Sequence, residues 1–122
     1  MDPSGKETRG LGTPSYMAPE IIEAKPYDNG VDIWALGVVV HWMLTGMPPF
    51  RGKEPTKMDM FRAIVNQKLN LKPFDRYYEN GSLIKDFLSK CLEKNPDKRP
   101  SANELLNHAW IKTMVEEEQL LC

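Results

Sequence analysis

The residues best equipped for chemistry open the chain, in the stretch Gly12 to Glu20, "GTPSYMAPE". Thr13, Ser15 and Tyr16 offer hydroxyls and Glu20 a carboxylate, beside Pro14 and Pro19. Two prolines remove backbone donors and fix φ, so the stretch makes neither a good helix nor a good strand and must be held by something else. Other candidates carry less. "GLGTPS", Gly10 to Ser15, mimics the start of a glycine-rich phosphate loop, but the third glycine is absent, no strand precedes it and Pro14 interrupts it, so the match reads as accidental. His41 and His108 have no Cys, His or carboxylate at ligand spacing and read as structural, with no metal site expected. Cys91 lies in an apolar helical pattern and Cys122 ends the chain, which excludes a disulfide framework or zinc site and favours a reducing compartment.

The elements that must position these groups are helices. Residues 1–11 are polar and turn-rich and read as a mobile lead-in. "DNGVDIWALGVVVHWMLTG" is apolar on nearly every side and predicts a buried helix stopped by Gly46; the Val38–Val40 run is the one hint of a strand. Pro48 and Pro49 open another loop. Met58, Phe61, Ile64 and Val65 then recur at helical spacing. Leu83, Ile84, Phe87, Leu88, Cys91 and Leu92 do so more clearly, in an amphipathic helix that Ser82 would cap. "SANE", Ser101 to Glu104, matches a capping box, with Leu105, Leu106, Ala109 and Trp110 on one face of the helix it starts, and residues 112–122 continue as a fraying helical tail. The prediction is an all-α domain of five or six helices, with its body at residues 12–111.

Composition bounds the function. The 122 residues suit one domain, with 41% hydrophobic and 27% charged residues and no repeat. Sixteen Lys and Arg against seventeen Asp and Glu give a formal net charge of −1, so no global basic field recruits nucleic acid or acidic lipid. Asp32 and His41 interrupt an apolar run already short of the roughly 20 residues a bilayer requires, so no membrane span is expected. The start has no signal-peptide pattern, and the last Cys is no prenylation box.

Three separated motifs, "GTPSYMAPE", "VDIWALGVVVHWMLTGMPPF" and "NPDKRPSANELLNHAWI", stand in the order and spacing of the C-terminal lobe of a eukaryotic protein kinase. The resemblance covers Gly12 to Ile111 and takes the Ser/Thr form, similar to the calcium/calmodulin-dependent group. It implies that Thr13 bonds the catalytic Asp, and that Pro14, Ser15 and Tyr16 form the shelf for the substrate residue after the phosphoacceptor. It implies a buried ion pair between Glu20 and Arg99, a bidentate clamp on the exit of a loop poor in backbone bonds. Alone, Glu20 reads as a first-turn helix charge and Arg99 as an exposed loop base. Asp32 would reach the catalytic-loop backbone or else serve only as a helix N-terminal charge, and Trp34 and Gly37 would be packing positions. Thr8 lies near the activation-loop phosphosite of such kinases, one residue beyond the usual offset from Gly12.

Phosphoryl transfer also needs "HRD", "DFG" and "VAIK" motifs, and none occurs in these 122 residues. The chain resembles the latter half of a kinase domain, so ATP and Mg²⁺ are expected only for a complete kinase and no catalysis from this chain alone. A buried Asp32 left without hydrogen bonds would cost about 1–3 kcal/mol. The expected function is the substrate-docking portion of a Ser/Thr kinase, the alternative a kinase-like module that binds a partner protein through the "RGKEPTKMDMF" helix region and the proline-rich loop. Either would be cytoplasmic or nuclear, and self-association through an exposed apolar face is expected. Arginine-directed relatives often carry an acidic residue where this chain has Trp42, which argues against selection for basic substrates.

Overall fold

The computed structural model describes residues 16–76 and 81–121, with side chains through Glu116. The elements are helices α1 (Pro19–Ile22), α2 (Gly30–Thr45), α3 (Lys57–Asn66), α4 (Gly81–Cys91), α5 (Ala102–Leu106) and α6 (Ala109–Leu121). Short 3-10 turns occupy Lys72–Arg76 and Pro96–Lys98, and no strand occurs among the described residues. The domain is all-α.

α2 is the axis of the molecule. It packs on α4 and on the Pro96–Lys98 turn, while α4 also meets α6 and the Lys72–Arg76 turn, and α1 meets α3. The core is Trp34, Val38, Phe50, Ile64, Phe74, Phe87, Leu88 and Cys91, all essentially removed from solvent. Gly37 permits the α2–α4 approach: a Cβ there would sit 2.7 Å from the Cys91 Cβ and 3.0 Å from the Leu92 side chain. Gly46 ends α2 in the left-handed region at φ 78°, and its N–H closes the last turn on the Trp42 carbonyl. The valine run is helical throughout.

Four local expectations are revised. α2 is not buried all round: Leu36, Val39 and Met43 share an outward face, and among the described residues the helices pack on the opposite one. Ser82 does not cap α4; the helix begins at Gly81 and Ser82 lies inside its first turn. On α3 the inward positions are Met60, Ala63 and Ile64, with Met58 60% exposed in the first turn, away from the core. Leu105 to Trp110 are not one helical face either. The backbone breaks at Asn107 and His108, the phase is lost, and Leu105 and Trp110 point inward while Leu106 is exposed.

The capping box forms as drawn from sequence. The Ser101 hydroxyl accepts from the Glu104 N–H at 3.1 Å, and the Glu104 carboxylate accepts from the Ser101 N–H at 2.8 Å. Thr56 caps α3 in the same way, accepting from the Asp59 N–H.

Candidate functional site

The exit of the proline-rich stretch becomes α1, whose first residue is Pro19, a position where the missing N–H costs nothing. Glu20 follows, and its buried carboxylate meets the Arg99 guanidinium through two parallel bonds, Nη1 to Oε2 at 2.7 Å and Nη2 to Oε1 at 2.8 Å. Arg99 spends its remaining donors on backbone carbonyls: Nε on Glu93 at 2.6 Å, Nη1 on Gly30 at 3.0 Å and Nη2 on Lys94 at 3.3 Å. All five guanidinium N–H groups are thereby used. One side chain ties α1, the start of α2 and the loop after α4 to a single point.

Burial pushes the Glu20 carboxyl up, but the Arg99 hydrogen bonds, a bond within its own backbone and the Arg99 charge outweigh it and hold it below the ordinary carboxylate range. Trp34 lies beneath the clamp, with the Arg99 guanidinium carbon 5.0 Å from its ring and Phe50 stacked against it at 5.7 Å and 11°. Its Nε1–H is buried without a hydrogen-bond partner among the described residues. The cationic groups of Arg99 and Lys94 lie near the ring and accept nothing.

Of the shelf residues, Tyr16 is described, and its ring stacks on Trp42 at 6.2 Å and 26°. Thr8, Thr13, Pro14 and Ser15 lie outside the described residues. Asp32 is exposed in the first turn of α2, so the cost of a buried unpartnered carboxylate is not incurred. A charge there complements the helix dipole. Gly37 sits at the α2–α4 contact, one turn beyond Trp34.

Three groups have partners that the sequence did not indicate, although His41 and His108 are structural as expected. Lys94 is half-buried, with its ammonium 3.9 Å from the centre of the Phe50 ring and donating to the Ile64 carbonyl at 2.5 Å, one of the carbonyls left open at the end of α3. Burial pulls its pKa down to about 8. His108 accepts from the Trp110 N–H at Nδ1, which leaves the proton on Nε2, and Nε2 lies 2.6 Å from the Asp86 carboxylate. Asp86 is held below the ordinary carboxylate range by its bond to Lys90 and then by His108. His41 is buried and donates from Nδ1 to the Met47 carbonyl at 2.8 Å; burial lowers its pKa and that bond only partly restores it. His108 and Asp86 are 22 residues apart, so no local pattern points to the pair.

Ligands for the Mg²⁺ that the resemblance implies for a complete kinase are not gathered among the described residues. One large cleft, near Arg51 and Arg76, has no carboxylate among the described residues of its wall. In another, Asp86 is committed to Lys90 and His108 and Glu104 to the Ser101 backbone, which leaves Asp97 as a single open carboxylate. No group of three potential metal ligands converges among the described residues. Nor is any helix among them long and apolar enough to cross a membrane.

Comparison with known proteins gives this geometry its context. The family model of the protein kinase domain matches residues 1–111. The chain is 38% identical over 109 residues to a serine/threonine-protein kinase H1 homolog of Danio rerio, covering 89% of this chain and 25% of that protein. It is 36% identical over 104 residues to the calcium/calmodulin-dependent protein kinase cmkB of Emericella nidulans, covering 85% of this chain and 25% of the relative. It is 41% identical over 103 residues to the serine/threonine-protein kinase DCLK3 of Homo sapiens, covering 84% and 16%. The chain thus spans about a quarter or less of the length of these relatives. With a kinase-domain match over most of its length, serine/threonine kinases among its relatives and an all-helical fold braced by Glu20 and Arg99, the chain belongs to the protein kinase family.

Proposed function

We propose that this chain is the substrate-docking portion of a Ser/Thr protein kinase and transfers no phosphate by itself. The observation that carries the reading is the Glu20–Arg99 clamp, which anchors the exit of "GTPSYMAPE" to the helical core with every guanidinium donor used. A rigid exit suits a loop that must present a substrate backbone in one register. Thr13, Pro14, Ser15 and Tyr16 would supply that surface. ATP, Mg²⁺ and the catalytic Asp would come with the remainder of a kinase domain. The Tyr16–Trp42 stack places an aromatic wall where an acidic residue would grip arginine, so the complete kinase would select apolar or aromatic side chains there. Cys91, a buried free thiol pushed up to about 12, is inert and suits a reducing cytoplasmic or nuclear setting.

The test is ATP turnover by the purified 122-residue chain with a peptide mixture. No turnover is expected; turnover abolished by substitution within these residues would overturn the reading.

A second reading, a kinase-like module that binds a protein partner without catalysis, is favoured by the outward face of α2, where Leu36, Val39 and Met43 are exposed. Either reading predicts self-association through that face. The mass of the native protein in its own cells separates them. A species far above 14.0 kDa supports the kinase portion, and one near 14.0 kDa supports the binding module.

A further inference from the structure

A cleft of about 680 Å³ opens between the loop after α2, the end of α3 and the Lys72–Arg76 turn. Arg51, Lys68 and Arg76 bring three positive charges to its wall, and no Asp or Glu among the described residues lines it. Elsewhere on the surface Lys25 pairs with Glu23, Arg62 with Asp59, Lys85 with Asp75 and Lys90 with Asp86, while Lys53, Lys57, Lys98 and Lys112 stand singly rather than gathered in one concavity. Arg51, Lys68 and Arg76 have no carboxylate partner among the described residues. Arg76 spends only Nε, on the Pro73 carbonyl.

Three like charges gathered in one concavity repel each other, so their place needs a reason. The ends of α2 and α3 are one, since each helix C-terminus carries about half a negative charge. Some carbonyls at those ends already have donors: Gly46 bonds Trp42, Gln67 bonds Ala63 and Lys94 bonds Ile64. Even unserved, two half-charges offset about one cation of the three and leave an excess of about two.

We propose that this cleft docks an acidic segment of a partner protein, with two or three Asp or Glu side chains held by Arg51, Lys68 and Arg76. The apolar rings of Pro48, Pro49 and Pro73 line the same cleft and offer rigid contact for a peptide. The Asn70 Oδ1 accepts from the Lys72 N–H, which leaves the Asn70 amide two donors for a peptide carbonyl. A nucleic acid fits less well. Its backbone needs an extended run of cations, whereas this protein carries a net charge of −1 and gathers these three in one cleft. The site needs no phosphoryl transfer, so it stands or falls separately from the kinase reading.

The experiment titrates the whole chain into a short fluorescein-labelled peptide of alternating Glu and Gly, read by fluorescence anisotropy at low and at physiological salt. Saturable binding is expected, and its loss when Gln replaces Glu. The exposed double variant Arg51→Glu/Lys68→Glu should weaken binding about tenfold or more, and Arg76→Gln about threefold. Lys57→Glu/Lys112→Glu, which makes the same change in net charge away from the cleft, should stay within about twofold. Circular dichroism verifies that each variant is folded. Absence of binding to the parent chain, equal weakening by both double variants, or tighter binding of oligothymidylate than of the peptide would overturn the proposal.

Discussion

The two sides of α2 are built from the same kind of residue and meet opposite fates. On one side Trp34, Gly37, Val38 and His41 are buried against α4, Phe50 and Phe74, under the Arg99 guanidinium. On the other, Leu36, Val39 and Met43 follow one another at helical spacing and face outward, with Met43 79% exposed. Hydropathy does not separate them. What separates them is a partner surface: the inner side has a glycine that lets α4 approach and a clamp that closes the top, and the outer side has neither. Full burial of one large apolar side chain is worth about 1.5–3 kcal/mol, so the outer face is a reserve of association energy that the described residues leave unused.

The largest effect expected from breaking the inner side comes from Arg99→Ala. It strands a buried carboxylate and uncaps the Glu93, Lys94 and Gly30 carbonyls, and the loss should be about 3–5 kcal/mol in urea unfolding. A loss below about 1 kcal/mol would mean that desolvation cancels the clamp. Gly37→Ala comes next. The new Cβ would meet the Cys91 Cβ at 2.7 Å, an atom fixed to the α4 backbone, and the cost should be about 1–3 kcal/mol. A neutral result would show that α4 slides freely along α2.

Acid tests the same side by charge. The folded pKa of His41 lies below its unfolded value near 6.5, so its neutral form stabilises the protein above that pH. That contribution is lost as pH falls from 6.5 through the folded value. Glu20 is likewise depressed below 4.5, so its contribution is present above that pH and is lost as pH falls further. The urea midpoint should therefore drop in two stages, and Glu20→Gln should flatten the lower one. The smallest change in stability belongs to the outer side. Met43→Gln should alter it by no more than about 0.5 kcal/mol while shifting the light-scattering mass toward 14.0 kDa. Strong destabilisation by that substitution would erase the contrast between the two sides.

How much could be read beforehand depended on how far apart the cooperating groups lie. The Ser101–Glu104 box and the Gly46 stop are completed within four residues and were plain in the sequence. Glu20 and Arg99 lie 79 residues apart, and nothing near either names the other; only the resemblance to kinases paired them. His108 and Asp86 had no such help. The Ser82 cap failed because a serine within the first turn and one just ahead of it look alike in a hydrophobic pattern. Leu106 was misplaced because the pattern continues across Asn107 and His108 while the backbone does not.

The elements follow from residue order: apolar spacing, prolines and caps act within a turn or two, so helix type and approximate ends are set by neighbours along the chain. The tertiary structure alone decided which apolar faces have partners, which buried charges are neutralised and which cations stand unpaired. Those outcomes depend on distances between residues far apart in sequence, and electrostatic and packing energies are set by distance in space.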